Sequence, residues 1–328
     1  KVRLGNFYDS ENQENGEFRV MKGSIFGEYN KIIERADNIE AKFYKHRNVK
    51  FFPLDVRLES NIKRIIKNHV LDGMILPDPF LTKNSLVLTF GSCFALNVRS
   101  ALASRLERSV AVKIPDGMDN AFAMRDFISA CALVDSSERE NWVKRTDGGH
   151  PHFWTFGEQI EKYHKEIAQS DALIFTLGMA EVWEDTRSGD VYWQGVPMSQ
   201  YDPSRHRARM TTVSENYECI KAIYNTVQES FGDKKMIFTV SPIPLNATFQ
   251  DMSCMVADAG SKSVLRAAIQ EFWNQAPPNF IYWPSFEIVK WVSAHLEFTM
   301  YSGTDSRHVH SAAISLITDA FLERFFVP

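Results

Sequence analysis

Five short apolar runs, separated by longer amphipathic stretches, constrain the fold of this chain more than any other feature. They are rich in β-branched and aromatic side chains, and each is followed by Gly, Pro or Ser. The runs occupy residues 86–90, 110–114, 172–177, 236–240 and 280–283. Short, mostly apolar strands that alternate with helices are typical of a parallel sheet covered on both faces. The pattern therefore predicts a three-layer α/β/α fold with a roughly five-stranded parallel sheet.

The helical stretches complete this organisation. Apolar residues recur at helical spacing through residues 29–69, where Pro53 divides two helices. We therefore predict that residues 1–80 form an N-terminal extension with two helices packed on a core domain of residues 81–328. Helices of the core are predicted at residues 94–108, 121–134, 157–169, 215–231, 261–275 and 310–325.

Charge and hydropathy exclude two classes of protein. Lys and Arg number 37 against 41 Asp and Glu, so the chain lacks the basic excess that binds a nucleic acid. No run approaches the roughly 18 apolar residues of a membrane-spanning helix, so no membrane span is expected. The first residues show no signal-peptide core, although the chain lacks an initiator Met and processing or truncation could have removed one.

The cysteines indicate a reducing compartment. Cys93, Cys131, Cys219 and Cys254 are too few and too widely spaced for a disulfide scaffold or a CxxC site. We expect reduced thiols, buried in all but Cys93. Together with the mild acidity, this favours the cytoplasm.

The segment after the first strand is the strongest candidate for chemistry. Ligands of such sheets bind outside the carboxyl ends of the strands. There Gly91, Ser92 and Cys93 form a small polar turn before a helix, and this can expose a nucleophile. Backbone N–H groups at the start of that helix are expected to lower the pKa of a thiol and to face an oxyanion. The alternative is that Gly91 and Ser92 only turn and cap the chain, with Cys93 as a small core residue.

Six blocks of sequence, in order over residues 86–310, resemble the GSCFA-domain family, which is similar to the SGNH (GDSL-type) hydrolases and acyltransferases. The match covers roughly two-thirds of the chain and does not reach the first 80 residues. The blocks are Gly91-Ser92-Cys93-Phe94-Ala95, Asn120-Ala121-Phe122 (with Ala where Pro is usual), residues 175–183, residues 238–245, residues 282–287 and Asp305-Ser306-Arg307-His308.

The resemblance implies a catalytic triad. Aligned with Gly-Asp-Ser, the turn places Cys93 at the nucleophile, and Ser92 attacks instead if the turn shifts by one residue. His308 is the implied general base, oriented by Asp305. His310 competes for that role but lacks the Asp three residues before it.

The same resemblance implies a set of oxyanion and substrate residues. The backbone N–H of Cys93 is one donor, and Asn120 or backbone groups near Gly178 are the candidates for the others. The Asn of the SGNH pattern is missing, because Ala180 stands in its place. Glu181 is expected to orient a substrate hydroxyl and Trp183 to stack on a sugar; the alternatives are a helix-terminal carboxylate and a core aromatic.

The long stretch of residues 184–212 is a candidate lid. Its Arg205, Arg207 and Arg209 are candidates for binding the phosphates of an acyl-CoA donor or the carboxylates of an acidic glycan, or else are ordinary solvated charges. No tightly bound cofactor and no metal site are expected, although His150-Pro151-His152 and His308-Val309-His310 are His-x-His pairs.

These observations converge on acyl-group chemistry. The expected function is an acyltransferase or O-acyl esterase that acts on a carbohydrate through a Cys-His-Asp or Ser-His-Asp acyl-enzyme. The glycan setting is implied by the family alone. The alternatives are a non-catalytic carbohydrate-binding domain with a vestigial site, and a thiol-dependent peptidase or amidase. The sequence leaves the acyl group, the acceptor, the oligomeric state and the role of residues 1–80 open.

Overall fold

A five-stranded parallel sheet forms the centre of the protein. The computed structural model describes residues 62–91, 93–103, 105–111, 119–133, 137, 157–193, 195–196, 198–293, 299–301 and 305–327. The strands, in the spatial order β2-β1-β3-β6-β7, are β1 (Leu86–Gly91), β2 (Arg108–Ala111), β3 (Ala172–Leu177), β6 (Lys235–Val240) and β7 (Phe280–Tyr282). All four neighbouring pairs are parallel, which confirms the predicted sheet.

Helices follow the strands much as predicted. They are α1 (Ile62–Ile65, extended by a π turn over Ile66–Val70), α2 (Cys93–Leu102), α3 (Ala121–Ala132), α4 (Gly157–Gln169), α5 (Val213–Phe231), α6 (Cys254–Trp273), α7 (Ser285–Glu287, extended by a π turn over Ile288–Val292) and α8 (Ser311–Phe325). Side-chain caps fix several of their starts: Ser253 accepts a hydrogen bond from Val256 N, so α6 begins earlier than the predicted residue 261.

Alternating side chains divide the core into two layers. Phe90, Phe175 and Phe238 lie on one face of the sheet and stack across neighbouring strands at centroid distances of 4.8 Å. Buried residues of α3, α4, α5 and α6 pack against this face. Val87 and Ile174 point to the opposite face, which α1, α2 and α8 cover. The three-layer α/β/α fold is therefore confirmed.

The predicted lid is in part a β-hairpin. β4 (Glu181–Asp185) and β5 (His206–Met210) pair in antiparallel fashion, with Glu181 opposite Met210 and Asp185 opposite His206. The interpretation of residues 184–212 as one long connection was therefore wrong. The two strands escaped prediction because their charged residues satisfy one another across the pair, so neither strand has an apolar run.

The N-terminal extension lies mostly outside the described residues. Of the two helices predicted within residues 29–69, only the end is described, as α1 and its π turn. Ile62, Ile65 and Ile66 are buried in the layer that contains α2 and α8. The domain boundary at residue 80 stays a prediction. Within the described part of the chain, no helix is long and apolar enough to span a membrane.

Candidate functional site

Cys93 lies at the carboxyl edge of the sheet, at the first position of α2. Gly91 ends β1 with a φ of +120°, and the side chain of Cys93 is exposed. This position, just beyond the strand, is where ligands bind in parallel sheets. None of the four cysteines forms a disulfide; Cys131 and Cys219 are buried, as expected, whereas Cys254 is only partly buried. Ser92 lies outside the described residues, so its role stays a prediction.

The Cys93 thiol does not have the lowered pKa that the start of a helix predicts. Desolvation of the thiol by the surrounding protein is the main cause that raises its pKa above the ordinary value. The carboxylate of Asp119 raises the pKa further. The charge of Arg307 and the backbone amides of Phe94 and Cys93 act in the opposite direction but do not prevail. The lowering by backbone amides that the sequence predicts is therefore present, but desolvation and Asp119 outweigh it.

Asp305 and His308 form a hydrogen-bonded pair on the loop before α8. Asp305 Oδ2 contacts His308 Nδ1, and Asp305 Oδ1 accepts from the backbone N–H of Arg307 at 2.8 Å. The bond to His308 is the main reason that the pKa of Asp305 lies below its ordinary value. The charge of Arg307, on the same loop, acts on the Cys93 thiol. The structure thus forms the Asp305–His308 pair of the predicted triad, while the approach of His308 to Cys93 and the catalytic roles of all three residues stay predictions.

His310 has a structural partner instead. Its Nδ1 accepts a hydrogen bond from Ala312 N at 3.1 Å and caps α8. This occupies one ring nitrogen of the residue that competed with His308. The other His-x-His pair, His150 and His152, lies outside the described residues. Within the described part of the chain, no group of three or more His, Cys, Asp or Glu side chains could hold a metal ion.

The two candidate oxyanion donors outside the turn are engaged within the protein. Asn120 is 4% exposed; its Oδ1 accepts from Ala123 N at 2.9 Å and its Nδ2 donates to Trp193 O at 3.3 Å. The N–H of Gly178 donates to Asp119 O at 2.7 Å. In this conformation, the Gly178 N–H is not free for a substrate, and Asn120 serves as the cap of α3. Their assignment to the oxyanion site stays a prediction.

Glu181 and Trp183 lie on β4 rather than at the start of a helix. The buried Glu181 carboxylate accepts from Thr248 Oγ1 at 2.6 Å and from Phe249 N at 2.7 Å, so it positions the loop after β6. The half-buried Trp183 ring meets Tyr201 and Phe249 edge-on, at centroid distances of 5.7 and 4.7 Å. Tyr201 is 43% exposed and Phe249 is 63% exposed, so these rings form an aromatic shelf that reaches the surface.

The three arginines of the hairpin are held in ion pairs. Arg205 Nε contacts Asp185 Oδ2 at 2.6 Å, and Arg207 and Arg209 both contact the buried Glu184. Arg209 also binds Glu215 at 2.6 Å. Their first role is therefore to neutralise carboxylates of β4 and α5, which gives no support to a phosphate site at these side chains.

Glu215 makes the stability of the folded protein depend on pH in the acid range. Hydrogen bonds from Arg209 lower its pKa to about 2. A depressed carboxyl pKa stabilises the fold fully above the ordinary value of about 4.3, and this contribution disappears as the pH falls towards 2. We expect Glu215→Gln to be less stable than wild type near neutral pH and to lose less stability on acidification. Urea unfolding along a pH series measures this. Glu218→Gln on the same helix is the control, and equal pH slopes for wild type and Glu215→Gln would contradict the assignment.

Sequence reasoning missed two carboxylates and a lysine at the carboxyl edge of the sheet, around Gly178. Asp119 follows the second strand directly, as Asn120 does, and this position in the sequence could have identified it as a candidate. Its backbone carbonyl oxygen accepts hydrogen bonds from the amides of Gly178 and Met179. Lys262 and Asp258 lie on α6, where charged residues in an amphipathic pattern predict a solvated face. Lys262 is instead 2% exposed, and its ammonium donates to the carbonyl oxygen of Gly178.

Comparison with known proteins supports the resemblance seen in the motifs. No curated protein matches the chain. The GSCFA family matches residues 86–321, which is more than two thirds of the sequence and spans β1 through most of α8. The matched region contains Cys93, the Asp305–His308 pair and the whole five-stranded sheet. The chain therefore belongs to the GSCFA family.

Proposed function

We propose that this protein is an acyl-transfer enzyme, an acyltransferase or O-acyl esterase, in which Cys93 is the nucleophile. The observation that carries the proposal is the hydrogen bond between Asp305 and His308, on a loop whose Arg307 charge acts on the exposed Cys93 at the carboxyl edge of the sheet. A thiol, an imidazole and a carboxylate in this order are the groups that acyl transfer through a covalent intermediate requires. The SGNH likeness of the motifs supports the same assignment.

The proposed reaction has two steps. His308 accepts the proton of the Cys93 thiol, with Asp305 holding Nδ1 so that Nε2 faces the sulfur. The sulfur attacks the acyl carbon of the donor, the bond to the donor's leaving group breaks, and the imidazolium returns its proton to that group. A hydroxyl or water then gives its proton to His308 and attacks the thioester. The Cys93 sulfur leaves and recovers a proton, which yields an ester or a free acid.

We propose a carbohydrate as the acceptor. Trp183, Tyr201 and Phe249 offer ring surface beside the loop that Glu181 positions. Exposed aromatic rings bury the apolar face of a sugar while its hydroxyls remain hydrated. Glu181 itself is engaged with Thr248 and Phe249, so its part is to hold the shelf. An acyl-CoA remains the proposed donor to test, and we propose the cytoplasm as the compartment because the four cysteines form no disulfide.

A non-catalytic carbohydrate-binding domain is the second candidate. The observation that favours it is the engagement of the Gly178 N–H with Asp119 and of the Asn120 side chain with Ala123 and Trp193. A site without free donors stabilises a tetrahedral oxyanion poorly. The two candidates differ in whether Cys93 forms a thioester.

Intact-mass spectrometry after brief exposure to an activated acyl ester, and separately to acetyl-CoA, tests the proposal. We expect an acyl adduct on wild type that is absent from Cys93→Ala and present on Ser92→Ala. Cys254→Ala is the matched control, because Cys254 is a partly buried thiol that donates to Leu245 O at 3.5 Å. An adduct lost only in Ser92→Ala would move the nucleophile to Ser92. No adduct with either donor, together with glycan binding, would replace the proposal with the binding domain.

A further inference from the structure

The inward face of α6 changes from polar to apolar along the helix. In the second half of the helix, the buried residues pack in the same core layer as Phe238 and are apolar: Leu265, Ala268, Ile269 and Phe272. In the first half, three polar side chains occupy the same face, at positions i, i+3 and i+4: Asp258, Ser261 and Lys262, which we name the polar row of α6. Because a helix face that packs on a core is ordinarily apolar, these side chains need polar partners inside the protein.

The polar row satisfies backbone groups of the loop after β3. The Lys262 ammonium donates to Gly178 O, and Ser261 Oγ accepts from Ala180 N at 2.7 Å. Both side chains are buried, and burial lowers the pKa of Lys262 to about 8, so its ammonium is still mostly protonated at neutral pH. Because buried backbone groups require partners, these two hydrogen bonds fix the path of the chain immediately before β4.

The same row holds the loop after β6. Asp258 Oδ1 accepts from Leu245 N at 2.9 Å and lies 3.8 Å from Lys262 Nζ. Lys262 and Asp258 therefore link Gly178, after β3, to Leu245, after β6. A buried ion pair contributes little to stability by itself, because desolvation offsets the attraction between the charges. What this pair provides is a fixed connection between two loops at the carboxyl edge of the sheet.

These two loops carry opposite sides of the aromatic shelf. Trp183 lies on β4, three residues after Ala180, and Phe249 lies four residues after Leu245. Glu181 makes a second connection between them, since its carboxylate accepts from Phe249 N at 2.7 Å. The edge-on contact of Trp183 with Phe249, at a centroid distance of 4.7 Å, therefore depends on how α6 holds both loops.

We infer that the polar row of α6 positions the aromatic shelf, with Lys262 as the positioning residue that joins the two loops. The inference rests on the proposed function, because it concerns the surface proposed to bind the sugar. A surface whose rings are in place before the sugar arrives avoids part of the entropic cost of ordering side chains and loops on binding. The polar row thus prepares the acceptor side of the site, at a distance from the rings themselves.

Fluorine NMR of protein labelled with fluorotryptophan tests this inference without an acyl donor or a sugar. The chain contains 7 Trp residues, and Trp183→Phe identifies the resonance of Trp183. Because the Phe249 ring lies against Trp183, its removal in Phe249→Leu shows how far that resonance moves when the contact is lost.

Three variants then separate the polar row from the core. Lys262→Met removes the ammonium, and Ser261→Ala is a milder variant that removes only the acceptor for Ala180 N. Leu265→Ala is the matched control. Leu265 lies one turn further along the same face and is fully buried, so its truncation leaves a cavity without removing a side-chain hydrogen bond.

We expect the Trp183 resonance to move in Lys262→Met and Ser261→Ala towards its position in Phe249→Leu, because a loop that is no longer held spends less time against the ring. The resonance should keep its wild-type position in Leu265→Ala. A wild-type resonance in folded Lys262→Met and Ser261→Ala would overturn the inference. An equal displacement in Leu265→Ala would also overturn it, since loss of packing would then suffice. If Lys262→Met does not fold, Ser261→Ala decides between these results. Absence of the acyl adduct would refute the proposed function and leave these resonances unaffected.

Discussion

Gly91→Ala is expected to destabilise the protein by about 3–5 kcal/mol, the sum of backbone strain and overpacking. The φ of Gly91 is +120°, a conformation that side chains rarely adopt, and a Cβ added there would lie 2.3 Å from Thr176 O. That oxygen belongs to β3, where Thr176 is the register partner of Gly91, so neither strand can yield without breaking the sheet. Since domains are stable by only about 5–15 kcal/mol, the loss is a large share of the total.

Urea unfolding measures this effect, and Gly189→Ala is its control. Gly189 also has a positive φ, +77°, in the turn that follows β4, but nothing lies within 4 Å of its added Cβ. The control variant therefore has the backbone strain of a positive φ but no steric clash, and it should lower the free energy of unfolding by about 1 kcal/mol. Similar losses in the two variants would show that the contact with Thr176 has no consequence. The folded fraction of Gly91→Ala should also react more slowly at Cys93, because the turn that carries the thiol begins at Gly91.

The sheet was predictable because its residues follow a local rule. Leu173, Phe175 and Leu177 face one layer while Ala172 and Ile174 face the other, so the strand is a continuous apolar run. The edge of that sheet then determines where Cys93 and the loop with His308 lie. Asp305 and His308 could be paired because the family resemblance implies an Asp three residues before the catalytic His.

The hairpin and Lys262 could not be predicted, because their burial depends on partners distant in the sequence. Glu184 is buried between β4 and β5 only because Arg207 and Arg209 neutralise it from the opposite strand. Lys262 is buried only because Gly178 O and Asp258 meet its ammonium. Because a lysine is rarely buried without partners, the amphipathic pattern of α6 predicts that Lys262 lies on the solvent-exposed face of the helix. The raised pKa of Cys93 could not be predicted for the same reason: Asp119 and desolvation are tertiary effects that no helix start reveals.

His308→Ala is expected to slow acylation of Cys93 by about 10²- to 10⁴-fold, the usual contribution of a general base. The demand on the base is high here, because the pKa of the thiol is raised and little thiolate forms unaided at neutral pH. Asp305→Ala should have a smaller effect, because the pair is exposed, with side-chain exposures of 41% for His308 and 44% for Asp305, and water can replace the carboxylate. Single-turnover acylation by an activated ester, followed by intact mass, measures both rates.

His310→Ala separates chemistry from structure in the same loop. His310 caps α8 through Ala312 N, so its loss should cost about 0.5–2 kcal/mol of stability and leave the acylation rate of the folded protein unchanged. His308→Ala should show the opposite pattern, a slow reaction in a protein of nearly wild-type stability. If both variants react at the wild-type rate, no histidine of this loop is the base, and the Asp305–His308 pair is structural. If His310→Ala alone is slow, the base is His310, and the hydrogen bond of Asp305 to His308 has no catalytic role.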